Sequence, residues 1–181
     1  MIRQSTFVSA AIVLFALTGC MNSSLRDYLG KRTDVADQRT EQAATVDKGG
    51  LVRWREHEDE AMRQARETGK VVLMNFTGSD WCVYCKKLES EVFETSEFEN
   101  WANQNVVLLT LDYPKQSPQD PSIAEQNQRL AKRYSQHIQG YPTVLFLDAS
   151  GRVLGNLGYI PGGPRPWIDA AQNILQQSTG S

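Results

Sequence analysis

Two apolar runs, VVLMNF from Val71 and VVLLTLDY at 106–113, lack the alternation of a half-exposed strand. Such runs read as strands buried on both faces, and a sheet built from them needs covering layers above and below. The intervening segments supply those layers. Trp54, Glu58, Ala61 and Ala65 recur at helical spacing in LVRWREHEDEAMRQARETGK, with Gly69 placed as a C-terminal cap. After the first strand, a TGSD loop leads into CVYCKKLESEVF, and a second helical stretch starts at Ser96, where Glu99 completes a capping box. Ser122 and Glu125 mark another helix, running through Ile123, Leu130, Tyr134 and Ile138 to a stop at Gly140. TVLFLD (143–148), a turn at Ala149-Ser150-Gly151 and RVLGNLGY read as a hairpin, and Pro164 and Pro166 open a last helix. The order α-β-α-β-α-β-β-α predicts an α/β fold, a mixed sheet with helices on both faces.

The N-terminus constrains where such a domain works. Arg3 precedes an apolar run across 7–17, too short to span a bilayer but suited to a signal-peptide core. The run ends in Leu17-Thr18-Gly19-Cys20, which resembles the lipobox of bacterial lipoproteins. That resemblance implies cleavage after residue 19 and acylation of Cys20, hence a lipid-anchored protein of the cell envelope facing the periplasm or exterior. Residues 20–50 then form a lipidated start and a polar linker, a tether spanning roughly 30 Å, and residues 51–181 form the domain. A formal net charge of −2 gives no electrostatic footprint for nucleic acid.

With Cys20 set aside, Cys82 and Cys85 remain. Two cysteines cannot make a disulfide framework, and closing so short a loop stabilises little. A structural zinc site would want a second pair, and His57 and His137 are the only histidines. A CxxC pair could hold Cu(I), whose affinity for thiolates is high. The pair follows a buried strand and opens a helix, where free N–H groups and the macrodipole favour the thiolate of Cys82. Cys85 lies three residues on, on the same face and deeper, positioned to resolve a mixed disulfide formed at an exposed Cys82.

WCVYC after VVLMNF, with Gly140-Tyr141-Pro142-Thr143 some sixty residues later, resembles the thioredoxin superfamily. FTGSDWCVYCKKLESEVF is similar to a branch of exported bacterial thioredoxin-like proteins with a TGSDWC entry. The resemblance implies a thioredoxin-like fold, with Cys82 and Cys85 as the redox pair and Trp81 flanking it. It also implies a cis bond before Pro142, whose backbone abuts the cysteines and meets the substrate. Tyr84 and Tyr141 would add aromatic surface to that groove. Two positions depart from the family pattern. Asn75 stands where a buried Asp usually assists proton transfer to the resolving cysteine, so the relay is absent or is supplied by water or a group such as Asp80. Asp80 and Ser79 fit helix capping equally well. Val83-Tyr84, between the cysteines, lacks both the histidine of strongly oxidising relatives and the Gly-Pro of reducing thioredoxins; the missing histidine inclines the pair towards reduction.

The expected activity is therefore thiol–disulfide exchange on protein clients, more as a reductase, with no organic cofactor. A further redox partner would have to reset the cysteines. A non-catalytic client-binding module and Cu(I) delivery are the alternatives.

Overall fold

The computed structural model describes residues 53–179. Five helices and four strands follow in the order α1 (Glu58–Thr68), β1 (Val71–Thr77), α2 (Val83–Leu88), α3 (Ser96–Asn105), β2 (Val106–Asp112), α4 (Pro121–Arg133), β3 (Thr143–Leu147), β4 (Val153–Leu157) and α5 (Pro164–Thr179). A π-turn at Glu89–Phe93 extends α2, and a 3-10 turn at Ser135–His137 follows α4. The sheet order is β2-β1-β3-β4, with β1 parallel to β2 and antiparallel to β3, and β3 antiparallel to β4.

Both faces of the sheet are covered, which is why β1 and β2 show no alternation. Leu73, Leu108, Val144 and Phe146 point to one face, where Phe98, Trp101, Trp167 and Ala171 of α3 and α5 cover them. Val72, Met74, Phe76, Leu109 and Leu145 point to the other, against Ala61 and Ala65 of α1 and Leu130 of α4. Trp167 is fully buried, and its indole N–H donates to the Gly158 carbonyl at 3.0 Å. Gly69 takes the left-handed conformation (φ 71°) that ends α1, where a residue with a Cβ would be strained.

Several element boundaries differ from the sequence expectation. Trp54 lies before α1 and packs on Phe93. Its neighbour Arg55 pairs with β2 instead, donating to the Leu108 carbonyl and accepting from the Thr110 N–H. α3 is capped by Thr95, whose hydroxyl accepts from the Phe98 N–H, and α4 by Asp120, which accepts from Ser122, so each cap precedes the predicted serine. α4 ends at Arg133, well before Gly140, because the chain tightens into the 3-10 turn. Among the described residues, no helix is long and apolar enough to cross a membrane.

Candidate redox site

The site sits where β1 ends and α2 begins. The Gly78 carbonyl accepts from the N–H groups of Trp81 and Cys82, folding 78–82 into a turn that delivers Cys82 to the N-cap of α2. Cys82 and Cys85 are joined as a disulfide, with their Cα atoms 5.2 Å apart. The Cys82 sulfur accepts a hydrogen bond from the Cys85 N–H at 3.2 Å. A donor aimed at that sulfur favours its anionic form. In this oxidised state both cysteines are buried, Cys82 at 6% and Cys85 at 4% exposure, so the expected exposed nucleophile is covered.

Aromatic side chains form the surroundings. The Trp81 indole donates to the Tyr113 carbonyl at 2.8 Å and meets Tyr141 edge-on, with centroids 5.5 Å apart. Its ring lies directly over Gly78, where an added Cβ would come within 2.4 Å of the indole. Tyr141 precedes Pro142 across a cis peptide bond. Pro142 borders a hollow of about 280 Å³ shared with His137, Tyr141 and Asn156. Val83 and Tyr84, between the cysteines, are the two exposed large apolar side chains among the described residues, and Tyr84 leans on Tyr159.

Asp80 is not the cap of α2. Its carboxylate accepts from the backbone N–H groups of Lys115, Gln116 and Ser117, at 2.6–3.0 Å, and so fastens the loop after β2. Those amides, Lys115 and Gln116 foremost, hold its carboxyl below the usual Asp range. The N-cap of α2 is Cys82, and Ser79 is bonded to Asp112 through both its N–H and its hydroxyl.

A second cleft, of about 390 Å³, reaches Cys85. Asn75, Cys85, Glu89, Glu94 and Asp112 line it. Asn75 is 8% exposed, and its side-chain carbonyl makes no hydrogen bond among the described residues. Glu89 follows Cys85 by one helical turn, with its N–H on the Cys85 carbonyl. Although Glu89 keeps an exposed flank, desolvation first, then the charges of Glu94 and Asp112, raises its carboxyl above the ordinary value. Sequence reasoning passed over Glu89, and its spacing of four from Cys85 was the available signal.

The structure thus joins Cys82 to Cys85, sets Trp81 against Tyr141 and so beside Pro142, and places Asn75 with Cys85 in one cleft, while Tyr84 leans on Tyr159 and Asp80 fastens the 115–117 loop. His57 is exposed at the start of α1, and His137 borders the Pro142 hollow, not the Cys85 cleft. Cys20, with the predicted signal peptide and linker, lies outside the described residues.

Comparison with known proteins places this geometry. A thioredoxin-like domain family matches residues 58–170. The disulfide bond reductase DsbH of Chlamydia pneumoniae is 27% identical over 161 residues, 89% of this chain and 94% of that protein. The thiol:disulfide interchange protein DsbD of Klebsiella pneumoniae is 35% identical over 94 residues, which are 52% of this chain but only 14% of that protein. A solved structure described as DsbH oxidoreductase superposes with a TM-score of 0.66 at 26% identity, covering 77% of this chain and 98% of that one.

Proposed function

The chain belongs to the thioredoxin-like domain family, and on that basis we propose that it is a protein thiol–disulfide oxidoreductase that reduces client disulfides. The observation that carries the reading is the Cys82–Cys85 disulfide at the N-terminus of α2, with an N–H directed at the Cys82 sulfur. The likeness to a disulfide bond reductase along nearly its whole length supports the direction.

In the reduced protein, the Cys82 thiolate attacks one sulfur of a client disulfide. The client S–S bond breaks, one client sulfur leaves as a thiolate and takes up a proton, and a mixed disulfide remains on Cys82. Cys85 then loses its proton and attacks the Cys82 sulfur. The mixed disulfide breaks, the second client thiol leaves, and Cys82–Cys85 is the disulfide described above. Two electrons pass from the protein's thiols to the client. Asn75 cannot take the Cys85 proton. Glu89 lines the same cleft as Cys85, and desolvation raises its carboxyl above the ordinary value, which makes it a stronger base for that proton. Trp81, Tyr84, Tyr141 and Pro142 form the client groove, and Asp80 holds the loop beside it.

Repeated turnover needs a separate reductant for the disulfide. The lipobox at Leu17-Thr18-Gly19-Cys20 supports an envelope protein anchored by lipid on Cys20, so that donor would act at the membrane. A trapping experiment tests the chemistry. The Cys85→Ser chain should accumulate a mixed disulfide through Cys82 with a peptide disulfide, and Cys82→Ser should not. Failure of both to form one would remove the catalytic reading.

A further inference from the structure

Beside the cysteines the fold holds several cations: the Lys86 ammonium donates to the Asp80 carbonyl, Lys87 lies near the Tyr84 and Tyr159 rings, and Lys115 is set over Trp81. Asp80 fixes the backbone of residues 115–117 through their N–H groups. This sets the Lys115 ammonium over the Trp81 ring, 3.9 Å from its centroid. Trp81 in turn meets Tyr141, which adjoins Pro142, and directly precedes Cys82, so Lys115 sits over the ring next to the disulfide. Lys115 is exposed and takes part in no ion pair among the described residues. The Asp80 carboxylate is directed into the loop's N–H groups. An ammonium oriented this way at the edge of the groove has an open side for an anion.

We propose that Lys115 is a specificity-determining residue that favours clients carrying Asp or Glu side chains beside their disulfide. This rests on the oxidoreductase reading and adds a client class to it. The Asp80 anchor fixes the loop's position, and the Trp81 face restricts the ammonium's, so a carboxylate on a docked client meets a pre-placed partner. An exposed pair of this kind corresponds to about a two- to five-fold preference. Added salt would weaken it, because the charges lie in water.

The test uses the full chain, reduced beforehand, and three end-capped peptide disulfides that differ only in the flanking residue: Asp, Asn or Lys. Single-turnover rates are read as peptide thiol released. The wild type should reduce the Asp peptide about two- to five-fold faster than the Asn peptide, and the Lys peptide more slowly. Lys115→Gln should abolish this ratio and Lys115→Glu invert it, whereas Lys87→Glu, at the Tyr84 side, should leave most of it. Equal ratios in wild type and Lys115→Glu would overturn the assignment. An equal shift in Lys87→Glu would do the same, by tracing the preference to the general field. If the wild type reduces no peptide, including the neutral one, the oxidoreductase reading itself fails and this inference with it.

Discussion

Glu89 donates its backbone N–H to the Cys85 carbonyl, and the side chains of these two residues line one cleft. The carboxyl is thus tied to the buried cysteine by a single helical turn. A group placed there can exchange protons with Cys85 while a client occupies Cys82.

Glu89→Gln should slow release of the second client thiol by roughly 100-fold, the lower range for a positioned base, because water can also enter the cleft. The same change should alter stability in the opposite sense. The folded pKa of Glu89 lies above its unfolded value, so the folded state holds the proton longer and stability falls as pH rises through that window. Removing the charge abolishes this fall. The change in melting temperature from pH 4 to pH 7 should therefore be more positive in Glu89→Gln than in the wild type.

Asn75→Asp would restore the carboxylate usual in the family, but in a cleft that already holds Glu89, Glu94 and Asp112. A carboxyl at a site 8% exposed resists ionisation. Urea unfolding should show a loss on the order of 2 kcal/mol at pH 7, and near wild-type stability at pH 4, where the group is neutral.

Gly78→Ala forces a Cβ to within 2.4 Å of the Trp81 indole. The ring must leave Tyr113 and Tyr141, at a cost of about 1–3 kcal/mol. Tryptophan fluorescence should change, and exchange with client disulfides should slow while the disulfide still forms.

Asp80 has a folded pKa below its unfolded value, through the N–H groups of Lys115 and then Gln116. Its contribution is complete above the ordinary Asp value and is lost as pH falls through the folded one. The amide resonances of Lys115, Gln116 and Ser117 should titrate together at that lower pH, and all three should lose hydrogen-exchange protection in Asp80→Ala.

The parts of this site that were legible in the sequence are those with a local signature. β1 and β2 announce burial on both faces by their unbroken apolar runs, and Cys82 with Cys85 declares itself by spacing at a strand–helix junction. Gly69 is a stop signal that needs no tertiary context. The illegible parts depend on contacts between distant segments. Asp80 looks like a helix cap until the loop at 115–117 folds across it, some thirty-five residues on. Glu89, within a charged helical stretch, is indistinguishable from a solvated residue until β1 and β2 close the cleft. Trp54 fits helical spacing, yet pairing of Arg55 with β2 is available only once the sheet exists. At α3 two adjacent hydroxyls compete for the cap, and the helix geometry selects Thr95 over Ser96.

The most direct test of the account is the reduction potential of the Cys82–Cys85 pair in the full chain, equilibrated against glutathione and dithiothreitol buffers. A client reductase should give a value below about −220 mV. A value of about −150 mV or higher would contradict that direction and make the protein a donor of disulfides instead.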